Sequence, residues 1–364
     1  MEQFLQQLVN GITLGSMYAL IALGYTMVYG ILELINFAHG EVFMIGAFVA
    51  LGVITLLAGM GLPWWVLLAA ALACAIVVCV VVGVGLERLA YRPLLGEAKP
   101  LGALELTSIG LFVSAAWWLY HAMRGSLSGL NWAVGPLAGT VCALAFWGLY
   151  LYLSRSIPTR KAPRLSLLIT ALGASIFLQN AVRLVIGSRD QVIPSVLPPG
   201  GLAWSGVEVS YSQLLIVGVS LVTMAALTYL VQQTRLGKAM RATAQDMEAA
   251  QLMGINTAQI VVIVFVLGSA LGAVAGVLFG LFFQTINFFI GFQAGLKAFT
   301  AAVLGGIGNI PGAMLGGLLL GILESLGAGY ISSEWKDVFA FLVLVGVLLL
   351  RPSGLLGENA PEKV

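Results

Sequence analysis

Residues 237–256, GKAMRATAQDMEAAQLMGIN, form a polar run of 20 residues between two long apolar ones. Before it lies SQLLIVGVSLVTMAALTYLVQ at 212–232, and after it QIVVIVFVLGSALGAVAGVLFGLFFQ at 259–284. Each apolar run is long enough, as a helix, to cross a hydrocarbon core about 30 Å thick. The polar run is rich in alanine, methionine and glutamine, which favour helix. It carries Lys238, Arg241, Asp246 and Glu248, in a chain with few charges elsewhere. The local reading is span, polar helix, span.

The rest of the chain extends this pattern. Its 364 residues are 60% hydrophobic and only 9% charged, against roughly 25% charged in a soluble domain. Apolar runs occupy about 8–30, 41–58, 64–86, 104–121, 132–154, 165–186, 212–232, 259–284, 311–331 and 335–350, with a shorter Gly-rich run near 293–307. Backbone polar groups in lipid must be satisfied within the segment. The expected fold is therefore an all-α polytopic membrane protein. Its 45 glycines suit close helix packing. The N-terminus, MEQFLQQLVNGITLG, lacks the basic region of a signal peptide and reads as the start of a retained span.

Basic residues set the orientation. The loops 87–100, 155–164 and 233–258 and the C-terminal tail hold 12 of the 17 lysines and arginines. These segments share one side, the cytoplasmic one, if the 293–307 run crosses. That gives eleven spans, an external N-terminus and a cytoplasmic C-terminus. A re-entrant 293–307 run gives ten spans and reverses one end. The external segment 187–211, GSRDQVIPSVLPPGGLAWSGVEVSY, reads as a loop from its prolines and glycines. It is either a surface for a soluble partner or a plain connector.

Residues 35–50, INFAHGEVFMIGAFVA, and 286–301, INFFIGFQAGLKAFTA, match at seven of 16 positions with a constant offset of 251. The first copy follows a span that enters the cytoplasm and the second a span that leaves it. This is the relation of an inverted-topology repeat, a design that brackets substrate paths near mid-membrane. Polar groups at membrane depth are expensive and are candidates for function. Here they are Asn36, His39 and Glu41 at the start of one copy, Asn287 and Lys297 in the other, and Glu324 late in a later span. Each has a plainer reading as an interfacial or snorkelling side chain. Gly305–Gly312, GGIGNIPG, breaks the helix as a turn or as part of the pathway.

Other functions are disfavoured. There is no basic stripe for nucleic acid. The two histidines, His39 and His121, make no metal cluster, and Cys74, Cys79 and Cys142 lie in apolar runs as small hydrophobes. The chain carries no zinc-hydrolase, serine-nucleophile or phosphate-loop motif. Met240, Ala244, Met247 and Gln251 recur at helical spacing along the 237–256 run, with Arg241 and Glu248 on another side. Such a helix either lies on a membrane surface or fills a groove in a partner.

Glu248-Ala249-Ala250, followed after three residues by Gly254, resembles the EAA loop of bacterial ABC importer permeases, without that loop's downstream proline. GITLGSMYALIALGYTMVYGILELINFAHGE near the start resembles the branched-chain amino acid permeases of the LivH type. So do ERLAYRPL at 87–94, RLSLLITALGASIFLQN at 164–180, the run 291–341 and LLRPSGLLG at 349–357. The resemblance covers about 300 of the 364 residues. It departs at 95–159, where about 65 residues, including two apolar runs, separate segments that are nearly adjacent in that family. The insertion is either a lipid-facing hairpin or a contact with an extra partner.

The resemblance implies a permease subunit paired with a second, related permease. Two cytosolic ABC ATPases lie below and a periplasmic substrate-binding protein above. ATP is bound by the partners and no cofactor by this chain. Arg241, Asp246, Glu248, Ala249, Ala250 and Gly254 become the ATPase-coupling residues. Branched-chain amino acids are the implied substrates, and urea or short-amide importers share much of the pattern. An ion-coupled transporter would have to rely on Glu41 and Glu324.

Overall fold

The computed structural model describes residues 2–92, 94, 164–204, 206–351 and 353–357. Eleven α-helices carry those residues: α1 Glu2–Leu32, α2 Ala38–Leu57, α3 Trp64–Leu86, α4 Arg164–Ile186, α5 Tyr211–Gln233, α6 Arg235–Gln245, α7 Met247–Leu252, α8 Thr257–Phe283, α9 Ile290–Gly305, α10 Ile310–Tyr330 and α11 Lys336–Leu350. Seven of them, α1 to α5, α8 and α10, are long and apolar enough to cross a membrane. α9 and α11 are apolar but shorter, with 16 and 15 residues. The expected runs at 104–121 and 132–154, with the rest of the 95–159 insertion and Cys142, lie outside the described residues.

The all-helical expectation needs one amendment. Two small antiparallel sheets decorate the bundle. β1 (Gln191–Val192) pairs with β4 (Thr285–Ile286), and β2 (Gly201–Trp204) with β3 (Val207–Ser210). The 187–211 segment is thus partly a hairpin. Alternating Val207 and Val209 give it strand character, and its end is tied down by Ser210, which caps α5 through a reciprocal bond with Gln213.

The hairpin marks one end of the bundle. The side chain of Gln6 donates to the carbonyl of Glu208 and accepts from its N–H, and Gln213 donates to Asn10. α1 and α5 therefore start together and run side by side to the opposite end. There Gly30 of α1 approaches Gly308. The Gly305–Gly312 segment is a turn at that end. Gly306 and Gly308 have φ of 104° and 92°, the left-handed values that favour glycine. Leu355 and Leu356 of the tail donate to the carbonyls of Leu304 and Gly305, and Asn309 donates to Leu356. The sequence left this segment open between turn and pathway; its backbone partners make it a turn.

The 251-residue repeat is present in the backbone. Among the described residues only Glu33 and Gln284 are non-glycine residues with positive φ, 52° and 54°, and they are 251 apart. Each ends a long helix, α1 or α8, and is followed by a short non-helical link. The N–H of His39 then bonds to the carbonyl of Asn36, and that of Ile290 to Asn287, again 251 apart. The packing is exchanged between the copies. α8 packs on α2 and α3, whereas α1 packs on α9 and α10, and α2 meets α9.

Candidate functional site

α2 and α9 touch at their first turns. A Cβ on Gly40 would collide with the carbonyl of Gly291, and one on Gly291 with the carbonyl of Gly40. These two glycines are equivalent positions of the repeat, so the pseudo-two-fold relation passes through their contact. From there the helices leave in opposite directions, α2 toward the hairpin end and α9 toward the tail. Five and six residues of non-regular or extended chain, 33–37 and 284–289, carry the backbone back from the ends of α1 and α8. The breaks expected of a transporter thus lie at these links rather than at Gly305–Gly312.

Around this contact the apolar bundle buries polar groups. Glu41 is 1% exposed. One of its carboxylate oxygens accepts the Ser175 hydroxyl of α4 at 3.1 Å, and the other lies against Gly291 with no hydrogen-bond partner. His39 lies edge-on to Tyr25, its ring filling the space where a side chain on Gly24 would stand. Asn36 accepts the Tyr91 hydroxyl at 2.8 Å. The sequence placed His39 and Glu41 at a span entrance; packing by α1, α4, α8 and α9 places them inside the bundle.

A second polar cluster involves Lys297, further along α9 from this contact. Lys297 Nζ is 2.7 Å from Glu324 Oε1 and 2.6 Å from Asp337 Oδ1, and the other Glu324 oxygen accepts the Tyr18 hydroxyl at 2.9 Å. This network joins α9, α10, α11 and α1. Asn287 stands apart from both clusters and donates to Asp190. The six candidate polar residues are therefore distributed over separate groups. Ser175, Tyr18, Tyr25, Tyr91 and Asp337 were not among the sequence candidates. Tyrosines within apolar runs were the available signal, but nothing local indicated which of them bond to a carboxylate or an amide.

The 237–256 run is two helices, where a single regular helix was expected. Asp246 breaks it, in extended backbone at φ −156° and ψ 108°. Its carboxylate accepts the N–H groups of Glu248 and Ala249 at 2.9 and 3.0 Å, capping α7. α7 closes on Gly254, φ 86°, with Ile255 N–H bonded to the Ala250 carbonyl. This left-handed closure is why glycine follows the Glu-Ala-Ala sequence. Arg241 turns back to the Val231 carbonyl at the end of α5. Met240 and Ala250 are buried, while Leu252 and Met253 are 89% and 84% exposed. Asp246→Ala is expected to cost about 1 kcal/mol of local stability, read as faster hydrogen exchange at the Glu248 and Ala249 amides.

An apolar helical bundle with an inverted repeat, buried polar groups at its centre and a polar helical pair at one end defines a polytopic transport protein. The sequence profile described as "Branched-chain amino acid transport system / permease component" matches residues 7–132 and 101–348. The chain belongs to this family. It is 45% identical over 366 residues to the high-affinity branched-chain amino acid transport system permease protein BraD of Pseudomonas aeruginosa, covering 99% of this chain and 98% of that one. It is 43% identical, with the same coverage, to the permease protein LivH of Escherichia coli K12. A more distant relative is the fructose import permease protein FrcC of Rhizobium meliloti, 24% identical over 277 residues, which are 73% of this chain and 74% of that one. No solved structure matches.

Proposed function

We propose that this chain is a permease subunit of an ATP-driven importer that carries leucine, isoleucine and valine across the bacterial inner membrane by alternating access. Its partners are a second, related permease, two cytosolic ABC ATPases and a periplasmic binding protein. The hairpin end faces the periplasm and the C-terminus the cytoplasm. ATP binds to the ATPases and no cofactor to this chain. The names of the full-length relatives at 43–45% identity support the substrate class.

The observation that carries the coupling reading is the α6–α7 pair. It is polar, lies at the end opposite the hairpin, and holds two adjacent large apolar side chains, Leu252 and Met253, almost wholly exposed. Exposed apolar anchors on a short helix suit a groove in a partner. Asp246 and Gly254 shape that pair, Arg241 ties it to α5, and Glu248, Ala249 and Ala250 form α7 itself. A push on α7 is thereby passed to α5 and α8. Asn36, His39, Glu41, Lys297 and Glu324 are polar groups along the moving interior, and Asn287, part-exposed and bonded to Asp190, stands apart from them.

Leu252→Asp with Met253→Asp is expected to abolish co-purification of the ATPases while the permease remains folded in detergent. ATP-dependent leucine uptake by vesicles holding the complex would disappear with it. Unchanged co-purification would refute the coupling role. Uptake that survives without the ATPases and collapses with the proton gradient would refute the ATP-driven reading as a whole.

A further inference from the structure

The first turns of α2 and α9 meet inside the bundle; neither N-cap residue, Phe37 or Phe289, caps its helix with a side chain, although Asn287 accepts the Phe289 N–H ahead of α9. α5, α8 and α10 differ, each beginning on a Ser or Asn side chain that accepts a first-turn N–H. An uncapped helix start presents amide donors and the positive end of the helix dipole. The N–H groups of His39 and Ile290 already bond to the Asn36 and Asn287 carbonyls, which leaves those of Gly40 and Gly291, both buried, as the donors these turns offer. The independent observation is the Glu41 carboxylate oxygen, buried, without a partner and lying against the first turn of α9. A charge at this depth is costly unless paired.

The two features call for opposite charges a few ångströms apart. The amide donors call for an anion, and Glu41 for a cation. A metal ion would leave the donors unserved, and a simple carboxylate would face Glu41. A zwitterion with ammonium and carboxylate on one carbon answers both. Resting on the transport reading above, we propose that Glu41 and the first turns of α2 and α9 form the mid-membrane binding point for the head group of an α-amino acid. The ammonium lies against the free oxygen of Glu41 and the carboxylate against the N–H groups of Gly40 and Gly291. Gly40 and Gly291 now fill the space between the helices, so binding requires these turns to part. Movement of the two repeat halves about their shared axis supplies that opening. Ser175, bonded to the other oxygen, is a positioning residue that holds the carboxylate in place.

The test uses the full complex with its partner subunits. Hydrogen exchange at residues 290–293 is compared with saturating leucine, with 4-methylpentanoate, which lacks the ammonium, and with isopentylamine, which lacks the carboxylate. Leucine alone is expected to slow exchange. Equal protection by either single-charge analogue, or none by leucine, overturns the proposal. Glu41→Gln is expected to remove the leucine protection and to lower ATP-driven leucine uptake about tenfold or more, the loss of one charge-assisted bond. Uptake within about twofold of wild type overturns it. Should the variant fail to assemble, the wild-type exchange comparison decides. Wild-type uptake is measured in parallel: its absence refutes the transport reading, whereas normal uptake with unaffected exchange refutes only this site.

Discussion

Replacing Glu324 with alanine is expected to cost about 1–3 kcal/mol of the stability of the folded subunit. The residue is buried and receives both the Lys297 ammonium and the Tyr18 hydroxyl. Without it, Lys297 keeps Asp337, whose side chain is half exposed at the start of α11, and Tyr18 loses its acceptor. Removing one partner of a buried pair costs more than removing both, because the survivor remains desolvated. Lys297→Met with Glu324→Leu should therefore lose less than Glu324→Ala alone. Thermal unfolding in detergent, followed by labelling of the buried Cys79, measures the difference. A Glu324→Ala loss below about 1 kcal/mol would assign the network no structural weight.

A side chain at Gly321 is the second large effect. Helices α1 and α10 approach so closely that a Cβ at Gly321 would lie 2.2 Å from the Gly15 nitrogen and 2.3 Å from its Cα. Both are backbone atoms, which cannot rotate away. Gly317 makes the same close approach to Ala19. In lipid, such contacts supply the packing that water would otherwise drive. Gly321→Val is expected to separate α1 from α10 and to cost about 3 kcal/mol or more, at or beyond the upper range for overpacking. Gly218→Ala on α5 is the opposite case, because no atom lies within 4 Å of its Cβ position. It should stabilise the isolated subunit by about 0.5–1 kcal/mol through helix propensity. Equal effects at the two sites would refute the packing argument.

Parts of the candidate site were legible because the signal was local. Apolar run length is a property of consecutive residues, so the spans at 64–86, 212–232 and 259–284 correspond closely to α3, α5 and α8. The 251-residue offset was visible for the same reason, since an inverted repeat preserves order along the chain. The polar run at 237–256 was recognised as helical, but its division at Asp246 was not. That division depends on one carboxylate bonding two N–H groups ahead of it instead of leaving the backbone in helix. Gly254 was singled out by its motif, and its positive φ supplies the physical reason.

By itself the sequence determined what this protein must be made of: apolar helices long enough for a bilayer, a polar helical segment between two of them, a pair of related stretches, and a few polar residues within or beside the apolar runs. Hydrophobicity and residue order suffice for these, because they act within a segment. Only the tertiary structure decided which polar groups meet. It separated Lys297–Glu324–Asp337 from Glu41–Ser175, brought Gly40 against Gly291, and left one oxygen of Glu41 alone beside the start of a helix. Those contacts join residues tens to hundreds of positions apart, and they arise from how α1 and α8 exchange places between the two halves. That exchange is a property of helix faces packed in three dimensions, which no local pattern of residues records.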